Sequence, residues 1–559
     1  MPLFSGFFSG KANLGALWRR HLLLFAPVFA LLEIWRPCYF LTDDNLSGFF
    51  PCLTEIGRHL KEQRSPFTSD FLFGGDYDML RDISSPWHPL YLLSGLLADT
   101  AARFWIIDLI ALVLLLFALG GFTVLAWRLR EEWNPALPDS YLTFYTFSFL
   151  FSTFVLTTGA SWINFLGSVS ALPWLMLGVL ETRLLRATAL VALITAHELL
   201  GGFLPMTFSI GLCLTGVAFA LALWRRSPVP LLAWVAGNLL AVMILIPLLS
   251  PALDGFGHAA RGGGVTITEA TRYAMAARTF VFSFFAGNWT DLLAFWRGDA
   301  ELKTLAFPYL STLLACAAAW CIFPALINPA RWRFPEKLFL ALAGILALLV
   351  IRPLWVSAVM HHLPFLRSLR WPFREGLLLL FFLHLFLIVR PLAPRVWLRR
   401  GAVIVGVGMF LLPLPFIPAP TFNLLALDRA GLFSGRSELF WERVKTRLRP
   451  DDEIITVIPS ALWTADAIDI PYSYLGTANF PALFEVRSAS GYSASAPVDQ
   501  MPIKVSSWYW FGAFEDRQIP EILAQMPHLV EIRLENARPL RIVMTKDGVS
   551  TDLTPLLKP

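Results

Sequence analysis

Charge is what this chain has least of. Only 15% of its 559 residues are Asp, Glu, Lys or Arg, while 56% are hydrophobic and the mean hydropathy is +0.60. Soluble domains carry roughly a quarter charged residues, so this balance excludes a single water-soluble globular protein. Cysteine is also scarce: five residues and no CxxC pair exclude a disulfide framework, a zinc ribbon and a dithiol redox centre. Cys213, Cys316 and Cys321 sit in apolar runs as packing residues, whereas Cys38 and Cys52 flank one polar segment where a bridge is open. The common catalytic signatures are missing too. There is no Walker A loop and no GxSxG elbow; Gly262, Gly263 and Gly264 lack a following GK(S/T), and His197-Glu198 is followed by LLGG instead of completing HExxH. No internal repeat or low-complexity linker is visible, which counts against carriers built from duplicated halves.

What is present is a series of apolar runs of about 20 residues, the length a bilayer requires. They fall near 21–40, 104–127, 139–160, 163–182, 186–204, 206–224, 229–250, 304–327, 336–356, 374–392 and 400–420. The expected fold is therefore a polytopic α-helical membrane protein of about 11 transmembrane helices, whose first run is retained because no small-residue cleavage site follows it. The net charge of +5 and pI near 9.0 do not form a nucleic-acid footprint. The positives sit in alternate short loops: Arg128 and Arg130; Arg183 and Arg186; Arg225 and Arg226; Arg331, Arg333 and Lys337; Arg390, Arg395, Arg399 and Arg400. By the positive-inside rule these loops and the N-terminus face the cytoplasm. Segments 41–103, 251–303 and 357–373 and the tail are then expected outside. The stretch 88–101 is apolar but too short to span and reads as an interfacial or re-entrant helix. From about 425 the composition changes, and EIITVIP, PHLVEIRL and RPLRIVMT read as strands. The expected division is a transmembrane domain, 1–424, and a soluble α/β extracytoplasmic domain, 425–559.

Three clusters in the expected outer segments carry chemistry. Asp43 and Asp44 follow the first span, where interfacial burial and a neighbouring like charge suit a general base; the plainer reading is two acids marking a helix end. Asp76, Asp78 and Asp82 follow Gly74-Gly75 and precede Trp87 and His88. They fit an acceptor sugar hydroxyl, a divalent cation or a solvated turn. His361, His362, Arg367, Arg370 and Arg374 crowd the outer mouth of a span, against the charge rule, as a phosphate site would demand; snorkelling to headgroups is the alternative. Trp87, Trp289, Trp296 and Trp371 are the outer-loop tryptophans open to stacking on sugar faces.

Taken together, these residues resemble the GT-C superfamily of integral-membrane glycosyltransferases, and within it the bacterial YfhO-like family. The likeness rests on Asp44, Phe49, Phe50 with Pro51, Gly74-Gly75, Ser85-Pro86, then Pro364, Arg367, Arg370, Pro372 and Arg374, and Gly491-Tyr492. Leu46-Ser47-Gly48 departs from the aromatic-polar pattern usual after the first acid. The resemblance implies inverting transfer of a sugar from a polyprenyl-phosphate donor to a glycan, lipid or protein acceptor outside the bacterial cytoplasmic membrane. In that scheme Asp44 is the base, Asp43 assists, and the Arg and His cluster holds the donor phosphate. Two other classes remain: a transporter or flippase of a lipid-linked or anionic solute, cued by Asp108, His197, Glu198 and His384 within spans, and a non-catalytic scaffold of a cell-envelope polysaccharide system.

Overall fold

The computed structural model describes residues 13–75, 77–82, 87–258, 267, 332–362, 372–390, 426–465, 470–491, 498–503 and 513–557. Within these, eight helices are long and apolar enough to cross a membrane, as a polytopic helical protein requires. In chain order the principal helices are α1 (Asn13–Trp35), α2 (Phe50–Lys61), α3 (Pro89–Gly95), α4 (Ile106–Trp133), α5 (Asp139–Leu150) and α6 (Thr153–Ser161). They continue with α7 (Ile163–Leu180), α8 (Leu184–Gly201), α9 (Leu204–Arg225), α10 (Val229–His258), α11 (Phe334–Ile351), α12 (Leu354–His361) and α13 (Gly376–Val389). The expected spans 304–327 and 400–420 lie outside the described residues, as does the boundary placed at 424.

Several boundaries differ from the sequence expectation. The run 139–160 is two helices: Ser152 caps α6 through its Oγ, which accepts the Val155 N–H. The segment expected as an outer loop from 251 begins inside α10, which carries Pro247 and Pro251 without ending and reaches His258. The loop expected at 357–373 likewise starts within α12. Asp108 stands in the first turn of α4 and accepts the Phe40 N–H at 2.9 Å, so it lies at a span end and not in mid-span. Cys38 and Cys52 are free thiols, so the bridge between them is not made.

Glycines allow the tightest helix contacts. A Cβ on Gly167 of α7 would stand 2.1 Å from the Gly201 carbonyl oxygen of α8, and one on Gly57 of α2 would stand 1.9 Å from that of Gly95 in α3. Close backbone approach of this kind is how helices gain van der Waals contact where the surroundings are as apolar as the side chains.

The loop arginines gather at one end of the bundle, where they cap helix C-termini. Arg128 and Arg225 both donate to the Leu180 carbonyl, at 2.7 and 2.9 Å. Arg333 donates to the carbonyls of Trp133 and Val389 and pairs with Glu336, which also holds Arg390 at 2.6 Å. The guanidiniums of Arg128, Arg225 and Arg333 thus satisfy carbonyls that a helix end leaves without partners.

At the opposite end lie the segment after α1 and the C-terminal residues. Strands β1 (Thr68–Ser69) and β2 (Tyr77–Asp78) form a small hairpin. A five-stranded sheet has the order β4 (Ala513–Phe514), β3 (Ile454–Val457), β5 (Val530–Ala537), β6 (Leu540–Lys546), β7 (Val549–Asp552). β3 runs parallel to both neighbours, and β5, β6 and β7 are antiparallel. The three strand-like runs read in the sequence are β3, β5 and β6; β3, covered on both sides, is buried at all four positions, as a central parallel strand should be.

The first long segment is clamped to these C-terminal residues. Phe73 N–H donates to Ser490 O at 3.2 Å, Gly74 N–H to Ser488 O at 2.8 Å, and Ser488 N–H to Phe71 O at 2.8 Å. The chain leaves this pairing through Gly74 and Gly75 at φ +86° and +85°, a left-handed conformation that glycine adopts without a Cβ penalty. Arg58 of α2 pairs with Glu485 at 2.8 Å, and Asn479 N–H donates to Ser47 O at 3.0 Å. One contiguous apolar core consequently runs from Phe25 of α1 to Tyr472 and Ile532.

Candidate functional site

The turn between α6 and α7 is a single extended residue, Trp162, so the last carbonyls of one helix and the first N–H of the next are orphaned side by side. The segment following α1 supplies the partners. Asn45 donates through Nδ2 to the carbonyls of Phe40, Gly159 and Ala160 at 2.8 to 2.9 Å, and its Oδ1 accepts the Ile163 N–H at 2.6 Å. Thr42 adds a hydroxyl to Ala160 O at 2.7 Å. An amide has both donors and an acceptor, which is why Asn serves both helices at once.

This docking sets the two preceding acids. Asp43 is buried, 5% exposed, with φ +48°. Its carbonyl accepts the Ser47 hydroxyl at 3.0 Å, and Ser161 hydrogen-bonds its carboxyl. Burial first, and the Asp44 charge second, push the Asp43 carboxyl well above the usual carboxylate range. Asp44 is half-buried and accepts the indole N–H of Trp162 on Oδ2 at 2.7 Å. The adjacent acids are thus unequal: one is enclosed and favours its proton, while the other reaches the site boundary.

Trp162 has a second partner. Its ring is stacked on Phe203, with centroids 5.9 Å apart and planes 3° from parallel. The Arg374 guanidinium carbon lies 4.7 Å from the Trp162 ring centre and 4.2 Å from that of Phe203, within range of a cation–π attraction. Phe203 is held by its neighbours in the fold: its N–H donates to Ser168 Oγ at 3.0 Å, and that hydroxyl donates to Glu198 Oε1 at 2.7 Å. Thr207 supplies a further hydroxyl to the same oxygen at 2.9 Å. Arg374 is positioned by the next residue, since Glu375 accepts the Ser209 hydroxyl at 2.7 Å. Asp44, Trp162, Phe203 and Arg374 therefore form one continuous group at the end of the bundle remote from the loop arginines.

Other expected site residues lie elsewhere. Asp78 caps the turn Met79–Arg81 by accepting the Leu80 N–H at 2.9 Å, and its own N–H donates to Gln500 at 3.0 Å; Asp82 accepts the Tyr77 hydroxyl. Trp87 is 5% exposed, which corrects its reading as an open sugar platform: the ring is covered by protein. His88 caps α3 and meets His197 at 2.9 Å. His361 and His362 close α12 with ring centres 6.1 Å apart, the first half-buried and the second exposed. Asp76, Arg367, Arg370 and Trp371 lie outside the described residues, as do Trp289, Trp296, Pro364, Ser85-Pro86 and Tyr492. Among the described residues no group of three or more His, Cys, Asp or Glu side chains is placed to hold a metal ion.

The residues that cue transport are each tied to protein partners. His384 meets Ser148 at 2.9 Å and the Leu380 carbonyl at 2.7 Å, His197 meets Ser170 at 2.8 Å, and Glu198 and Asp108 are bound as described above.

Asn45, Trp162 and Phe203 are functional candidates that sequence reasoning missed. The polar TDDN run after a span was a signal for Asn45, but neither aromatic is distinguishable by pattern from the many other Phe and Trp residues of the membrane part. In comparisons with known proteins, the chain matches no family model, no curated protein and no solved structure.

Proposed function

We propose that the chain is an inverting, membrane-embedded glycosyltransferase that moves a sugar from a polyprenyl-phosphate donor to a glycan, lipid or protein acceptor. The observation that carries the proposal is the pairing of a carboxylate and a guanidinium across one aromatic platform, Asp44 on the Trp162 N–H and Arg374 on its face. In this reading Asp44 takes the proton of the acceptor hydroxyl as its oxygen bonds to the anomeric carbon. The bond from that carbon to the donor phosphate breaks, and the electron pair leaves with the phosphate, whose charge Arg374 stabilises. Arg367, Arg370, His361 and His362 belong to the same donor-binding role, and Asp43 assists by staying protonated beside Asp44. The reaction end faces outward and the arginine-capped end inward by the positive-inside rule. In this reading the C-terminal sheet lies outside the cytoplasmic membrane, as the extracytoplasmic domain of an eleven-span protein.

Transport draws on Asp108, His197, Glu198 and His384, but each is engaged by fixed protein partners, which favours chemistry at one end over a translocation path. The test is transfer in defined lipid, using a panel of polyprenyl-phosphate sugars with glycan and lipid acceptors. The expected result is transfer by wild type, none by Asp44→Asn with donor binding kept, and weakened donor binding in Arg374→Ala. Normal transfer by Asp44→Asn would remove the base assignment; movement of a lipid-linked sugar without transfer would put the transporter first.

A further inference from the structure

The backbone requirements of the α6–α7 turn are already met by Asn45 and Thr42. Nothing in that turn needs an indole, and a Leu or Phe would fill the same apolar space. Trp162 spends its single donor on a carboxylate instead of a carbonyl, a charge-assisted contact at 2.7 Å. The Arg374 guanidinium carbon lies over this ring and over that of Phe203, with which it is stacked. A cation–π contact to two rings at once restricts where a guanidinium can lie.

We infer that Trp162 is a positioning residue that serves both halves of the proposed transfer at once, its N–H aiming the Asp44 carboxylate and its face, with Phe203, aiming the Arg374 guanidinium at the donor phosphate. This rests on the transfer reading above and adds to it a residue and a division of labour. The two edges of the indole are separable by chemistry. Phe203 supports Arg374 but makes no contact with Asp44 through a hydrogen bond, so the base and the anion site each have their own variant.

The experiment compares Trp162→Phe and Phe203→Ala with wild type, using dodecyl phosphate as the anion probe and transfer as the activity. Trp162→Phe keeps a ring beneath Arg374 but loses the donor. It should bind dodecyl phosphate within about twofold of wild type while turnover falls roughly 10- to 100-fold, and the acid limb of the pH–rate profile should move to higher pH, because a lost hydrogen bond to the charged form favours protonation. Phe203→Ala should weaken dodecyl phosphate binding about tenfold and leave the acid limb in place. Should Trp162→Phe fold poorly, benzothienylalanine at 162 replaces the N–H by sulfur at nearly constant shape and is expected to give the same split. The carboxyl infrared band lost in Asp44→Asn is titrated in parallel, without turnover. A wild type that transfers, with limb and band unmoved in Trp162→Phe, overturns the inference. A wild type that does not transfer, with the band still moved, retains the aiming of Asp44 by Trp162 and removes the transfer reading.

Discussion

Asn45 and Ile163 are 118 residues apart in the chain, and the side-chain oxygen of the first accepts the backbone N–H of the second at 2.6 Å. This contact fastens the segment after the first span, which carries Asp44, to the turn between α6 and α7, which carries Trp162. Asn45→Ala would leave the Ile163 N–H and the Gly159 carbonyl buried without that partner, at a cost of about 2–4 kcal/mol for the lost pair of helix-end bonds. The thermal midpoint in detergent should fall accordingly, and the environment of Trp162 should change in its fluorescence. A midpoint equal to wild type would show that Asn45 does not hold the turn.

His88 and His197 have tautomers dictated by their neighbours. His88 Nδ1 accepts the Leu90 N–H at 3.1 Å, so the proton of the neutral ring sits on Nε2 and is donated to His197 Nδ1 at 2.9 Å. His197 then donates from Nε2 to Ser170 Oγ at 2.8 Å, whose own hydroxyl goes to Gly167 O at 2.6 Å. Burial lowers the His88 value to about 4, so that ring is neutral near pH 7. His88→Asn keeps a good helix cap but cannot reach His197, whereas His88→Ala loses both. The Asn variant should cost about 1–2 kcal/mol for the broken buried bond, and the Ala variant about 1 kcal/mol more. Equal midpoints for the two variants would mean that the cap contributes nothing.

Glu55 of α2 is fully enclosed, accepting the Ser69 hydroxyl at 2.7 Å and the Asp70 N–H at 2.8 Å, with His59 Nε2 3.9 Å away. Burial pushes it from 4.5 up to about 7. For an acid with a raised folded value, the fold favours the neutral form; that stabilisation is complete below about pH 4.5 and is lost as pH rises through about 7. Glu55→Gln remains neutral throughout. Its stability relative to wild type should therefore rise between pH 4.5 and 8, levelling above about 7, as read from unfolding midpoints across that range. A wild-type-to-variant difference independent of pH would remove the buried-acid account of this loop.

Gly167 and Gly211 provide a steric contrast. A methyl group at 167 meets the Gly201 backbone at 2.1 Å, while one at 211 meets nothing within 4 Å. Gly167→Ala should separate α7 from α8 and destabilise by more than about 2 kcal/mol through overpacking. Gly211→Ala should be neutral or stabilising by up to about 1 kcal/mol through reduced chain entropy. Comparable melting of both variants would argue against a close crossing at Gly167.

The helical, membrane-spanning character of the chain was legible because it is written locally. Among the described residues eight apolar helices are long enough to cross a bilayer, and loop arginines such as Arg128, Arg225 and Arg333 find helix-end carbonyls. Asp43 and Asp44 were identifiable from their place after the first span, and β3, β5 and β6 from their content of β-branched and other apolar residues. The break at Ser152 and the continuation of α10 through Pro251 were not legible, because propensity alone does not say whether neighbouring groups will cap a helix or carry it past a proline.

The sequence by itself determined which segments are apolar enough to be helices in a membrane, and where charge is permitted between them, since both follow from the transfer cost of short stretches. Only the tertiary structure decided that Trp162 would lie between Asp44 and Arg374, that Phe203 would stack beneath them, and that Trp87 would be covered. Those outcomes depend on side-chain geometry between residues far apart in the chain, and one aromatic residue in an apolar run carries no mark of the partner that folding will place beside it.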